Sequence, residues 1–95
     1  MQQANQLLDQ AKVLRNGIDQ CRQGNHKGAI ESFNQALHLD PDDAEAHGHR
    51  CVAHYRLGDL PGAIADCQRA ATLYLNQGKL KEHQYSLNML QRLRG

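Results

Sequence analysis

The 95-residue sequence has no tryptophan, two prolines and only four aromatic side chains, three tyrosines and one phenylalanine. A core poor in aromatic residues favours close-packed helices over a sandwich or a barrel, because strands are enriched in β-branched and aromatic residues. A net charge of +1 also excludes the clearly basic domain that is typical of nucleic-acid-binding proteins. The length and composition therefore predict one all-α domain over residues 1–95.

Long apolar runs are also absent. No stretch approaches the roughly 18 continuous apolar residues of a membrane span. The polar N-terminal segment MQQANQLLDQAK lacks the apolar centre of a secretory signal. Three cysteines cannot all pair within one chain, so we interpret them as reduced thiols. We therefore expect a cytoplasmic protein without a membrane partner.

Turn residues divide the chain into five segments with helical periodicity. The breaks fall at 24–25, 40–43, 58–61 and 76–78, where glycine, proline, asparagine and aspartate cluster. Asn25 and Asp59 stand where a helix N-cap accepts a backbone N–H group. The pattern predicts helices over residues 4–23, 26–38, 43–57, 60–76 and 79–93. Connections this short predict that neighbouring helices pack as hairpins.

Two of these segments repeat at an offset of 34 residues. GNHKGAIESFNQAL at 24–37 aligns with GDLPGAIADCQRAA at 58–71, so Phe33 matches Cys67. Ala29 and Ala63 are also matched, at a position where a larger side chain would force two paired helices apart. A helix–turn–helix unit repeating every 34 residues has the tetratricopeptide period.

Through GNHKGAIESFNQALHLDP and GDLPGAIADCQRA, the sequence resembles the tetratricopeptide repeat family, and small bacterial, cyanobacterial-like members in particular. The resemblance implies a right-handed α–α superhelix of two helix hairpins. The first repeat is expected over residues 10–43, the second over 44–77, and a capping helix over 79–93. The second repeat departs from the family pattern at His47, Cys51, His54 and Cys67, and it lacks the closing proline.

Two interpretations exist for the segment AHGHRCVAHY at 46–55. His47, Cys51 and His54 share one helix stripe and are zinc ligand types, and a zinc site needs three or four such ligands. A fourth ligand such as His83 or Cys67 cannot be placed from the sequence. The resemblance instead assigns the three residues to the face that packs on the partner helix. We therefore interpret them as half-buried packing residues, and we expect neither a metal nor a cofactor.

Catalytic motifs are not evident in the sequence. A cysteine and a histidine are available, but no third group that orients the base and no oxyanion donor can be assigned. The glycines follow the spacing of hairpin turns and not that of a phosphate-binding loop. We therefore predict that the protein is not an enzyme and has no catalytic residues.

In the family that this sequence resembles, the first helices of successive repeats line a groove that binds a peptide or a partner protein. Matching by register gives these candidate partner-binding residues: Leu14, Arg15, Ile18, Cys21, Arg22, Glu45, His49, Val52, Tyr55 and Arg56. The alternative for the apolar members is that they pack against neighbouring helices. One subfamily grips the acidic C-termini of chaperones with a Lys/Asn/Arg clamp, which the matching residues cannot reproduce: Leu14, Ile18 and His49.

The last helix is expected to cover the end of the solenoid. The apolar stripe predicted to face the second repeat is Leu80, His83, Leu87 and Leu90, with Met89 and Leu93 beside it. The polar side predicted to face water is Lys79, Glu82, Ser86 and Arg92. Because about three repeats are normally needed for a stable solenoid, either this helix completes the fold or two chains pair. The alternative function is therefore that of a self-associating scaffold, a homodimer without a peptide ligand.

Overall fold

The computed structural model describes residues 2–95, with side chains from residue 8 onward. These residues form no strand and five α-helices: α1 (Gln2–Arg22), α2 (His26–Leu39), α3 (Ala44–Arg56), α4 (Leu60–Asn76) and α5 (Leu80–Arg94). Every helix begins and ends within two residues of its predicted bounds, which confirms the all-α fold. Within the described part of the chain, no helix is both long enough and apolar enough to span a bilayer.

The chain reverses in the same way in the α1–α2 turn and the α3–α4 turn. Gly24 and Gly58 both have a φ of +83°, a left-handed conformation that costs glycine little. The next residues, Asn25 and Asp59, cap the following helix with a side-chain oxygen. Each accepts a hydrogen bond from the backbone N–H three residues later, at 3.0 Å and 2.9 Å respectively. The short turns therefore fix two helix pairs of similar geometry.

The helices pack as two hairpins, α1 with α2 and α3 with α4, joined by a smaller contact between α2 and α3. Small residues lie where paired helices approach each other. Ala29 and its match Ala63 are both fully buried, as are Ala36 and Ala70. Residues 34 apart therefore occupy equivalent environments, as the repeat predicts.

The last helix covers the second hairpin, but with a different face from the one predicted. Leu80 and Leu87 are 66% and 40% exposed, whereas Ser86, assigned to the polar side, is only 5% exposed. The buried residues of α5 are Ser86, Leu90 and Leu93. The prediction for Leu80, Leu87 and Ser86 was therefore wrong.

The contacts of Ser86 explain this orientation of α5. Its side chain is small, so the helix approaches α4 closely there, and the Cys67 thiol donates a hydrogen bond to the Ser86 carbonyl oxygen at 3.2 Å. Nearby, His83 Nδ1 lies 2.7 Å from the Ala71 carbonyl oxygen. Leu90 then completes a buried cluster with residues of α3 and α4.

Candidate partner-binding face

Four of the candidate residues on α1 line one shallow cavity together with Glu45 of α3: Leu14, Arg15, Ile18 and Arg22. Leu14 and Ile18 are only half-buried, and both also pack against the buried cluster that contains Phe33. The two apolar side chains therefore contribute to the core and to the surface at once. Cys21 belongs to the same cluster and is likewise half-buried.

Three candidate residues of α3 line a second cavity. Val52 is half-buried, and Tyr55 is 57% exposed beside the exposed Arg56. The opposite wall comes from α5, through residues that were not among the partner-binding candidates: Met89, Arg92 and Leu93. Their contribution depends on how α5 is rotated about its axis, and the sequence pattern predicted that rotation incorrectly.

His49 lies between these two groups, at the junction of the repeats. Its ring stacks on Phe33, with centroids 5.9 Å apart and an angle of 18° between the planes. Its Nε2 atom lies 3.7 Å from Glu45 Oε1, one helical turn earlier. His49 also lines a cavity with Val52 and Tyr85. It thus packs the interface between the hairpins while one edge remains accessible.

His47 and His54 surround a buried carboxylate that the sequence analysis missed. Asp66 of α4 is 4% exposed. Arg50 of α3 donates two hydrogen bonds to it, from Nη2 to Oδ1 at 2.6 Å and from Nε to Oδ2 at 2.8 Å. His47 Nδ1 lies 3.3 Å from Oδ1, and His54 Nε2 lies 3.5 Å from Oδ2. The two histidines thus occupy packing positions, as predicted, with a charged group between them.

These neighbours stabilise the ionised form of Asp66. Burial by itself would raise the pKa of the carboxyl, but the hydrogen bonds from His47 and Arg50 and the positive charge of Arg50 together lower that pKa below its ordinary value. One sequence signal pointed to this network. Asp66 matches Ser32 at the offset of 34 residues, and both are polar residues at a buried position of an otherwise apolar helix face.

Cys51, the third residue of the stripe of zinc ligand types, packs in the buried cluster formed by α3, α4 and α5. It is 2% exposed and lies beside Cys67, which is 3% exposed. Burial, with a smaller effect of the neighbouring thiol, raises the pKa of Cys51 to about 12. Among the side chains of residues 8–95, no three from histidine, cysteine, aspartate or glutamate are grouped so that they could hold a metal ion. Of the three stripe residues, Cys51 packs beside the Cys67 thiol, whereas His47 and His54 contact Asp66.

Charge is distributed unevenly over this face. Five acidic residues line a cavity near the start of α3: Asp40, Asp42, Asp43, Glu45 and Glu82. Four arginines lie towards the C-terminal ends of α1, α3 and α5: Arg15, Arg22, Arg56 and Arg92. Asp19 and Glu45 line the same cavity as Arg15 and Arg22, whereas no acidic residue lines the cavity of Arg56 and Arg92. Among the side chains that the structure describes, none of these four guanidinium groups lies within 4.0 Å of a carboxylate. They are therefore available for a partner.

Comparisons with known proteins agree with this architecture. Residues 14–80 match the family model described as Tetratricopeptide repeat. Tetratricopeptide repeat protein 36 of Homo sapiens is 33% identical over 90 residues, covering 93% of this chain and 48% of that protein. Its Mus musculus counterpart is 37% identical over 73 residues, covering 76% and 39%. Protein FlbA of Caulobacter vibrioides is 38% identical over 63 residues, covering 64% and 11%.

The chain thus spans less than half the length of these curated relatives. The relatives come from both vertebrates and a bacterium. The resemblance to bacterial members in particular therefore stays a prediction.

Proposed function

Because the chain belongs to the tetratricopeptide repeat family, we propose that it binds a partner polypeptide on the face lined by α1 and α3. It acts as a protein-interaction module and not as an enzyme. The two repeats and the last helix work as one unit, and the protein acts in the cytoplasm. Its partner contacts include the residues matched to the groove by register: Leu14, Arg15, Ile18, Arg22, Glu45, His49, Val52, Tyr55 and Arg56.

One observation supports this proposal: arginines that have no carboxylate partner among the described side chains border half-buried apolar side chains on the same face. Tyrosine and arginine are enriched among residues that dominate binding energy at interfaces. The half-buried Ile18 and Val52 supply apolar area that can be buried without first unfolding any part of the chain. A pre-formed surface of this kind lowers the ordering cost of binding.

Photo-cross-linking tests which face is used. A benzoylphenylalanine replaces Tyr55, which is exposed on α3, and in a matched chain it replaces Gln35, which is exposed on α2. We expect a partner to be cross-linked from position 55 and not from position 35. The purified partner is then titrated against wild-type protein and against an Arg15→Glu/Arg22→Glu variant, which should bind at least tenfold more weakly.

The variant's helix content by circular dichroism serves as the folding control, and both arginines are exposed, so it should match that of the wild type. Cross-linking from position 35 alone contradicts the proposal. Equal affinity of the variant and the wild type for the purified partner contradicts it as well.

Self-association is the second candidate, favoured by apolar residues exposed at the α5 end of the molecule: Leu75, Leu80, Tyr85 and Leu87. A homodimer that buried them would need no peptide ligand. Light scattering coupled to size-exclusion chromatography, at protein concentrations from micromolar to millimolar, distinguishes the monomer from the homodimer. A constant mass near 10.7 kDa excludes the homodimer, whereas twice that mass supports it.

A further inference from the structure

The cavity between α3 and α5 differs from the rest of the candidate face in its lining. Its volume is about 270 Å³, and its apolar wall comes from both helices. Val52 and Met89 are half-buried and Leu93 is buried, so the wall is an accessible extension of the core. Such a surface can receive an aliphatic side chain without rearrangement of the hairpins.

The charged groups of this cavity all have the same sign. Arg56 lines it from α3 and Arg92 from α5, and none of its lining residues is acidic. Neither guanidinium lies within 4.0 Å of a carboxylate of the described residues. By contrast, Arg50 and Arg69 of the same hairpin both have carboxylate partners. The two cavity arginines therefore present unpaired charge beside apolar surface.

We propose that the α3–α5 cavity binds an acidic segment of the partner polypeptide, taking an aliphatic side chain against Met89 and Leu93 and pairing an adjacent carboxylate with Arg56 and Arg92. Guanidinium groups form paired hydrogen bonds with carboxylates, which adds geometric selection to the charge attraction. Tyr55, exposed at the same cavity, covers the aliphatic group from the side. This inference rests on the proposed function and adds the chemistry of the ligand and the participation of α5.

A phosphate-rich ligand fits this lining less well. The chain has a net charge of only +1, and the arginines adjoin an apolar wall in place of further basic residues. Nucleic-acid sites are more polar and much more positively charged. A carboxylate next to an aliphatic side chain uses both parts of the cavity, whereas a nucleotide backbone uses only the arginines.

The test is a fluorescence anisotropy titration with three labelled octapeptides, each acetylated and amidated. The first carries two central leucines flanked by aspartates. The second has lysines in place of the aspartates, and the third has serines in place of the leucines. We expect the first to bind wild-type protein at least tenfold more tightly than either of the others, because only it supplies both groups. A labelled single-stranded oligonucleotide that binds more tightly than the first peptide overturns the proposal.

Paired variants locate the binding. In Arg56→Gln/Arg92→Gln, we expect the acidic leucine peptide to bind at least tenfold more weakly and its advantage over the lysine peptide to disappear. The matched control is Lys27→Gln/Arg94→Gln, which removes the same charge from exposed residues that do not line the cavity. An equal loss in both variants shows attraction by net charge alone and overturns the proposal.

The carboxylate could come from an internal side chain or from a chain terminus. A fourth peptide therefore ends in leucine with a free carboxyl group and lacks aspartates. Tighter binding of this peptide than of its amide assigns the arginines to a terminal carboxylate, and equal binding assigns them to acidic side chains. Failure of all the peptides overturns the inference about the cavity, whereas the proposed function stands as long as cross-linking from position 55 and the Arg15→Glu/Arg22→Glu loss are observed.

Discussion

In the first hairpin the ring of Phe33 lies against Gly17, whereas in the second hairpin the matched residues are Cys67 and Cys51, all of them buried. A Cβ atom on Gly17 would stand 2.5 Å from the Phe33 ring. In the second hairpin Cys51 supplies a side chain at the position of Gly17, and Cys67 is smaller than the matched Phe33. The two pairs thus fill the same site with the volume divided differently between the helices.

The adjacent polar position differs in charge. In the first hairpin Ser32 donates a hydrogen bond to Gln20 at 2.6 Å and accepts one from Asn16 at 3.3 Å. In the second hairpin the three matched residues are Asp66, His54 and Arg50, which form the ionic network. A buried polar group needs hydrogen-bond partners, and both the neutral network and the ionic network provide them.

The two hairpins share one part of the repeat and differ in another. The turns and the buried alanines are the same in both hairpins, whereas the side chains that face each other across a helix pair change together. Residues in direct contact are expected to couple energetically, whereas residues more than about 10 Å apart with no shared partner are not.

The largest difference is expected between truncations at the matched positions 33 and 67. Phe33→Ala should lower the free energy of unfolding by about 3–5 kcal/mol, because it removes a fully buried aromatic ring. Cys67→Ala removes one buried sulfur and should cost only about 1 kcal/mol. Urea denaturation followed by circular dichroism measures both. Equal losses would contradict the unequal division of volume.

The next largest effect on the free energy of unfolding is expected in the polar networks. Asp66→Asn should lower the free energy of unfolding by about 2–3 kcal/mol, because Arg50 loses its carboxylate partner in a half-buried position. Ser32→Ala should cost only about 1 kcal/mol, the value of a neutral hydrogen bond. The control is Asp42→Asn, since the ion pair of Asp42 with Arg69 is exposed and should contribute less than about 1 kcal/mol.

The sign of the pH dependence follows from the lowered pKa of Asp66. The carboxylate stabilises the fold above its ordinary pKa of 3.8, and this contribution is lost as the pH falls through the lower pKa of the folded state. The difference in unfolding free energy between wild type and Asp66→Asn should therefore shrink as the pH falls below about 4. A difference that grows in that range would contradict the ionic network.

The repeat made the hairpins predictable, and the exceptions have local causes. The turn glycines and the four matched buried alanines each have a single steric reason to recur, so the register alone predicted their positions. Asp66 was missed because its charge conflicts with an apolar face unless its partners on α3 are considered as well. The rotation of α5 depends on one small residue, Ser86, which the sequence pattern placed on the polar side. Met89 and Leu93 were expected beside the apolar stripe, but nothing in the sequence indicated that they line a cavity with α3.

The coupling between facing residues is tested by placing the cysteines of the second hairpin at the matched positions of the first hairpin, 17 and 33. Gly17→Cys alone should cost about 1–3 kcal/mol, since the new Cβ collides with Phe33. In a Phe33→Cys background the same change should cost less, by about 1 kcal/mol or more, because the space has been vacated. A double-mutant cycle in urea measures this coupling. Strict additivity would mean that the two positions do not divide one volume.

The smallest effects are expected where the hairpins are alike. Gly24 and Gly58 have the same φ, and each donates its N–H to the carbonyl three residues earlier at 3.0 Å. A Cβ atom added to either glycine would meet nothing within 4 Å, so replacement by alanine adds backbone strain but no collision. Gly24→Ala and Gly58→Ala should each cost about 1 kcal/mol and agree within about 0.5 kcal/mol. Gly48→Ala is the control, because this helical glycine has free space and should gain up to about 1 kcal/mol from helix propensity. Unequal costs at the two turns would show that the hairpins differ in their backbones as well as in their paired side chains.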